Sequence, residues 1–285
     1  MASLRVLRLQ TSWGRLEIAG ASRAGESTLI LLPQLRLALD AGRPNRRLPG
    51  MSTVFISHGH MDHLGGLGYW ASQRFLSSMG HGTVFAPQEI TGAIMDLLDT
   101  FGRLEGGKPY DVEVRPLRAG DRVDLRRDME LRFFPTQHWV PTLGCLLVWR
   151  RKRLRADLVD LSRDEIVRRR TAGEEVTEPV EVPILSYCAD TGPGLFPANP
   201  EVFASEIVLL ECSFFAEEDR ERARKYGHLH LDDLLANAAT LSSCRHLVIL
   251  HPSRRYRLRE LEAALDERLK PVIGGRLHHL AADWD

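Results

Sequence analysis

The stretch FISHGHMDHLGGL, residues 55–67, decides how the rest of the chain is read. It continues the β-branched and aromatic run TVF and leads into residues 64–79, whose spacing predicts a helix packed through Gly65, Gly66 and Gly68. The stretch therefore occupies a strand-to-helix turn. Residues two apart in an extended segment point the same way, so His58 and His60 can aim two imidazoles at one point. Once the chain turns into a helix, the adjacent Asp62 and His63 diverge and can reach a second cation. Two-metal hydrolytic sites hold their ions roughly 3.5 to 4 Å apart, a separation that one short loop can serve.

This loop cannot fill two coordination shells, because a catalytic zinc takes about three protein ligands plus water. Three further candidates share one setting. His138 ends LRFFPTQH, Asp190 ends ILSYCAD and His251 ends HLVILH, each closing a strand-like run. Strand ends on one edge of a sheet are where α/β proteins gather their sites. His81, His246, His278 and His279 lack this pattern and read as surface residues. His228, read alone, precedes LHLDDLL and reads as a helix-cap or surface histidine, and His230 within that stretch reads the same way.

The chain has 285 residues, 44% hydrophobic and 27% charged, enough for one large globular domain over 1–285. Lys plus Arg (38) equals Asp plus Glu (38), so no global basic excess draws the protein to nucleic acid. Any such affinity must come from a local patch. Cys145, Cys188, Cys212 and Cys244 are scattered and form no CxxC pair, which suits buried, reduced thiols. Arginines interrupt the N-terminal MASLRVLRLQ, so it does not read as a signal peptide, and no run reaches the roughly 18 apolar residues of a membrane span. The expectation is a cytoplasmic protein with no membrane partner.

Along the chain, LRVLRL, GRLEIAG, TLILL, LRLALD, TVFISH, TVFAP, VEVRPL, MELRFFPT and LGCLLVW read as strands, with a helix over 89–101. PILSYCAD, IVLLECSF and HLVILHPS follow as strands, with helices near 231–241 and 258–269. Residues 150–180 are highly charged and read as an insertion or arm. They hold a helix with Ser162 as N-cap, Asp164 and Glu165 in its first turn and Gly173 beyond its end. There is no internal repeat of fixed period. The pattern predicts an α/β sandwich, two sheets with helices outside.

His58, His60, Asp62 and His63 match HxHxDH, and on this motif the chain resembles the metallo-β-lactamase superfamily. The resemblance implies an αββα fold of two mixed β-sheets flanked by helices, with two divalent metal ions at one edge. It implies His138 as third histidine of one metal, Asp190 as bridging carboxylate, His251 as last histidine, and Asp40 in LALDAG as support for the ligands. Within the superfamily, CADTG, HPSRRY, LLECSF and KYGHLH resemble segments of the ribonuclease Z family. They carry Glu211, the catalytic His228, and Ser253, Arg255 and Tyr256 as candidate substrate contacts. Departures are Ala189 where the family has glycine, a loose ASRAGES in place of a glycine-rich turn, and a long tRNA-gripping arm absent or reduced to residues 150–180.

The resemblance implies a phosphodiesterase, an endoribonuclease removing the 3′ trailer of precursor tRNA by metal-activated hydroxide. Asp62 would orient the nucleophile, and His228, held by Glu211, would protonate the leaving oxygen. Imidazole and carboxylate ligands suit Zn2+, with Mn2+ or Fe able to occupy the same shell. Arg150, Arg151, Lys152 and Arg153 are candidate phosphate contacts, and the family often works as a homodimer. A second reading is a small-molecule hydrolase of the same fold, acting on a lactone, thioester, β-lactam or cyclic nucleotide. A third, a structural metal scaffold, is disfavoured because structural zinc sites tend to be closed and rich in cysteine.

Overall fold

The computed structural model describes residues 4–282; residues 1–3 of the N-terminal stretch read above lie outside them. Strands β1 (Arg5–Thr11), β2 (Gly14–Arg23), β3 (Ser27–Leu32), β4 (Leu37–Ala41), β5 (Thr53–Phe55), β6 (Gly82–Pro87) and β7 (Val112–Leu117) form one sheet in chain order. Strands β8 (Arg122–Arg126), β9 (Met129–Pro135), β10 (Leu143–Leu154), β11 (Thr177–Tyr187), β12 (Ile207–Glu211), β13 (His246–Leu250) and β14 (Leu277–His279) form the other, again in chain order. In both sheets the first four strands pair antiparallel and the last four parallel. The halves thus share a topology that the sequence does not betray as a repeat.

Parallel neighbours need crossovers, and helices supply most of them. Helices α1 (Met61–Leu64) and α2 (Leu67–Leu76) join β5 to β6, and α3 (Gln88–Leu104) joins β6 to β7. Helix α4 (Arg163–Thr171) lies between β10 and β11, and α5 (Leu195–Ala198) between β11 and β12. Helices α6 (Arg220–Lys225), α7 (Leu231–Ala236) and α8 (Ala238–Leu241) join β12 to β13, while α9 (Leu258–Ala264) and α10 (Lys270–Ile273) lead to β14.

Side-chain alternation builds the four layers. On β12, Ile207 and Leu209 enter the core between the sheets, while Val208 and Leu210 face the helices outside. On β13 Val248 and Leu250 point inward, and Leu247 and Ile249 outward. The first sheet matches them, with Leu37 and Leu39 in the shared core and Ala38 under the α2 and α3 layer. The fold is the expected αββα sandwich. Among the described residues, three backbone bonds tie its sheets together at one edge: Ser22 N–H to Leu280 O (2.9 Å), Ala24 N–H to Pro252 O (3.1 Å) and Leu143 N–H to Ser57 O (3.1 Å).

Several expected boundaries shift. The helix expected over 64–79 is two helices, because Gly66 N–H donates to Ala41 O (2.6 Å) instead of continuing the helical ladder. A Cβ at Gly66 would stand 2.5 Å from the Arg43 carbonyl carbon, so only glycine admits this approach. The helix near 231–241 divides likewise into α7 and α8. Strands β8 and β14 were not anticipated: RVDLR is mostly charged and LHH is short.

The largest shift concerns residues 150–180. β10 runs on to Leu154 and β11 starts at Thr177, so the arm is a two-stranded ribbon carrying α4. Strand β9 pairs with β10 only as far as Trp149, Arg150 N–H still reaches Asp128 O at 2.9 Å, and beyond that the two strands of the ribbon pair with each other among the described residues. The charged residues hid the strands, yet their pairing sustains them, as Arg153 and Glu178 lie directly opposite and bond at 2.7 Å. Ser162 caps α4 as expected, accepting from Glu165 N–H at 3.3 Å.

Candidate metal centre

Every candidate ligand stands where a strand ends at the same edge. His58, His60, Asp62 and His63 follow β5, His138 follows β9, Asp190 follows β11 and His251 follows β13. Three non-glycine residues here adopt left-handed backbone: Asp40 (φ 57°), Ala189 (φ 50°) and His251 (φ 58°). At Asp40 the cause is a β-bulge, because Leu29 pairs with Ala41 and Ile30 with Leu39, which leaves Asp40 unpaired. Such a bulge re-aims a side chain, here into the site.

The nitrogens and carboxylate oxygens of His58, His60, His138 and Asp190 lie within 4.8 Å of one another, as do those of Asp62, His63 and His251. In the first group His58 Nε2 is 3.1 Å from His60 Nδ1 and 3.7 Å from Asp190 Oδ2, and His138 Nε2 is 3.5 Å from His60 Nδ1. In the second, His63 Nε2 and His251 Nε2 are 3.3 Å apart, and His251 Nε2 is 3.3 Å from Asp62 Oδ2. Asp190 faces both groups: Oδ1 is 3.4 Å from His63 Nε2, and Oδ2 is 3.4 Å from His251 Nε2. Donors about 2.1 Å from a tetrahedral ion stand about 3.4 Å apart, so both sets have spacings that fit divalent cations.

The surrounding groups fix which nitrogen of each ring faces inward. His63 Nδ1 donates to Asp40 Oδ2 (2.6 Å). Ser57 gives its hydroxyl proton to Asp40 (2.8 Å), so its oxygen accepts from His58 Nδ1 (3.0 Å). Ser213 gives its proton to Glu211 (2.7 Å) and accepts from His251 Nδ1 (3.1 Å). His138 Nδ1 donates to Gly227 O (3.2 Å). In these four rings Nε2 is left for the centre, whereas His60 presents Nδ1. Tyr187, its hydroxyl bonded to Asp40, completes this outer ring.

Sequence reading missed Ser57, Tyr187 and Ser213. The available signal was that a buried hydroxyl at a strand end must find a partner. Gly25 was missed too: its N–H, in the turn formed by ASRAGES, donates to Asp62 Oδ2 at 2.6 Å.

Electrostatics agree with the donor chemistry at three imidazoles and two carboxylates, whereas at His63 the Asp190 and Asp40 carboxylates outweigh burial and lift the pKa, leaving a proton that a bound cation would displace. Burial pushes the pKa of His58, His60 and His138 down, which keeps their lone pairs available. Burial would raise the carboxyls of Asp62 and Asp190, yet neighbouring imidazoles outweigh it and hold both far below the usual carboxylate range. A buried carboxylate such as Asp190, 2% exposed, is retained where positive charge meets it.

His228 lies beside this centre, its ring 5.1 Å from that of His138 and 5.4 Å from that of His251. Its Nδ1 donates to Glu211 Oε1 at 2.7 Å, so Nε2 is the free position. Burial opposes its charged form, but the Glu211 carboxylate prevails and lifts its pKa to about 9. Glu211, 1% exposed, is itself held by the N–H groups of Thr191 (2.8 Å), Ser213 (3.2 Å) and Leu229 (3.3 Å).

The remaining candidates stand apart. Tyr256 packs against Phe215 (3.7 Å between centroids, tilted by 33°) and donates to Asp219, while Ser253 binds Ser213 O through its N–H (2.9 Å), so both tie loops together. Arg255 is exposed. In the arm, Arg150 pairs with Asp124 (2.6 Å), Lys152 with Glu175 (3.0 Å) and Arg153 with Glu178 (2.7 Å), while Arg151 lies over the Trp149 ring at 5.1 Å. Arg168 and Arg169 pair with Glu165 on α4.

His230 is the expected cap, of α7. His246, His278 and His279 are not free surface histidines: the first two meet at 3.2 Å and His279 binds Arg5 at 3.0 Å, all brought together by the unforeseen β14. The four cysteines are buried and unpaired, as expected. No helix among the described residues is long and apolar enough to cross a membrane.

A family described as the beta-lactamase superfamily domain matches residues 24–251. The chain is 28% identical over 266 residues to tRNase Z TRZ1 of Arabidopsis thaliana, covering 92% of this chain and 94% of that protein. It is 30% identical over 254 residues to the chloroplastic tRNase Z TRZ2 of the same plant, covering 87% and 70%. Among solved structures, the metallo-beta-lactamase fold protein YhfI of Bacillus subtilis superposes with a TM-score of 0.60 at 13% identity, covering 100% of this chain and 98% of that one. The short form of human tRNase Z gives 0.57 at 13% identity, covering 99% and 97%. These last two show the shared fold.

Proposed function

The chain belongs to the β-lactamase superfamily and, within it, to the ribonuclease Z family, and from that premise we propose that it is a metal-dependent endoribonuclease removing the 3′ trailer of precursor tRNA and leaving a 3′-hydroxyl. The observation that carries the reading is the Glu211–His228 pair, joined at 2.7 Å beside the ligand cluster. Hydrolysis of a phosphodiester needs a proton for its leaving oxygen, and a positioned general acid typically supplies about 10² to 10⁴ in rate.

His58, His60, His138 and Asp190 would hold one cation, and Asp62, His63, His251 and Asp190 the other, with Zn2+ the best match and Mn2+ or Fe able to replace it. When bound, the cations supply water of lowered pKa and offset the charge of the phosphate. The side chains do the rest. Asp62, anchored by Gly25 N–H, orients the attacking water and takes its proton. His228, protonated at Nε2 because Nδ1 is committed to Glu211, delivers a proton to the leaving 3′ oxygen. Asp40 and Ser213 hold His63 and His251 in the orientation their roles require.

Arg255 is available to contact RNA phosphate, whereas Arg150, Lys152 and Arg153 would reach it only by exchanging a carboxylate partner. Arg151 needs no such exchange. A homodimer in the cytoplasm completes the reading, the compartment in keeping with four buried thiols.

The test offers the metal-loaded protein a precursor tRNA with a 3′ trailer, alongside a chromogenic phosphodiester, a lactone and a β-lactam. One cut at the base of the trailer is expected, and His228→Ala should keep its metal while losing about 10² or more in rate. Turnover of the lactone or β-lactam with no RNA cleavage would overturn the ribonuclease reading.

A further inference from the structure

Two aromatic rings stand exposed at the rim of the metal centre, and neither has a place in the chemistry above. Trp139, 65% exposed, directly follows His138, and Tyr226, 44% exposed, lies two residues before His228. Their ring centroids are 6.4 Å apart at 39°. A lone exposed apolar side chain is ordinary, and Phe75 and Phe101 are each 39% exposed elsewhere; what marks Trp139 and Tyr226 is that they are neighbours beside the centre, and aromatic residues are enriched at binding surfaces.

The backbone is shaped to hold Trp139 there. Gly227 has a φ of 63°, and a Cβ on it would meet the indole Cδ1 at 3.1 Å and Nε1 at 3.2 Å. The indole edge therefore lies against Gly227, beside the carbonyl that receives the His138 Nδ1 bond. Cations accompany the rings: Lys225 Nζ is 5.6 Å from the Tyr226 centroid, and Arg224, exposed on α6, precedes it. Glu218 and Glu221 lie nearby on the same segment, so the local charge is mixed and the rings are the distinguishing feature.

Aromatic faces with adjacent cations are how proteins hold single-stranded nucleic acid without reading its sequence, since every base offers a π-face. We propose that Trp139 and Tyr226 form a stacking platform for an unpaired nucleobase next to the scissile phosphate, which places the strand with its phosphate at the His138–His228 side of the centre. This deepens the ribonuclease reading and rests on it for the identity of the strand. Trp139 is then a positioning residue for substrate.

The test compares Trp139→Ala and Trp139→Phe with the wild type on two precursor tRNAs, one with an ordinary trailer and one with abasic nucleotides at the first two trailer positions. The alanine variant should lose about tenfold in kcat/KM on the ordinary trailer, chiefly through KM, and almost nothing on the abasic one, while phenylalanine retains most activity. Equal losses on both substrates, or no loss on either, would overturn the platform. Independently of cleavage, a phosphorothioate-linked single-stranded oligoribonucleotide should quench indole fluorescence in the wild type, and that component should vanish in Trp139→Phe. If the wild type cuts no RNA, the ribonuclease reading fails alone when this Trp139-dependent quenching persists, and the platform fails with it when the quenching is absent.

Discussion

At Glu211 a single carboxylate decides the protonation of His228. Burial alone would lower the imidazole pKa, and the ion pair at 2.7 Å reverses that, giving about 9. The acid form therefore persists up to roughly that pH and is lost above it, which sets a falling alkaline limb in rate. Glu211→Gln removes the favourable charge and leaves the burial penalty. That limb should move to lower pH, with kcat near pH 8 down by about tenfold or more and metal content unchanged in elemental analysis. An unmoved limb would separate Glu211 from the proton donor.

Ala189 poses the opposite question, of a departure that costs little. Its left-handed backbone costs about 1 to 2 kcal/mol relative to glycine. Its buried methyl contributes about 0.8 kcal/mol and its lower unfolded-state freedom about 0.5 to 1 kcal/mol. Ala189→Gly should thus fall within about 1 kcal/mol of wild type in urea unfolding, because the opposing effects nearly cancel. The candidate ligands were legible because they cluster in one loop after an apolar run or close such a run themselves. Ser57, Tyr187 and Ser213 were not, since only tertiary pairing gives a hydroxyl its partner.

Among the elements, the arm shows where sequence reading fails. Its capped helix was visible in Ser162, Asp164 and Glu165, but the strands flanking it were hidden by charge, which pairs across the ribbon instead of marking a loop. That pairing also limits its reach toward RNA, because Arg150, Lys152 and Arg153 already hold carboxylates. Replacing residues 155–176 by a short turn should leave hydrolysis of a small chromogenic diester within about twofold. Precursor tRNA should bind about tenfold more weakly or less, and the slope of log affinity against log salt should become shallower by about 1 to 2. A collapse of diester hydrolysis would mean that the ribbon supports the centre itself.

Across the whole molecule, two halves of matching topology meet at an edge where each contributes part of one site. The first supplies His58, His60, Asp62 and His63, and the second His138, Asp190 and His251. The alternation of strands and helices made the sandwich legible, whereas the matching of its halves rests on strand pairing that no residue repeat records. Cations bound by both halves would link the sheets, so their removal should loosen the fold. With metal at about a thousand times its dissociation constant the native state gains about 4 kcal/mol, and a strong chelator should lower Tm by about 5 to 15 °C. A Tm indifferent to chelation would show that the halves need no such link. The claim beneath all of this is that these seven side chains close around two ions, and anomalous diffraction from metal-loaded crystals tests it most directly. Two peaks are expected, one among His58, His60, His138 and Asp190 and one among Asp62, His63, His251 and Asp190; no peak there, or a peak held by other residues, would contradict it.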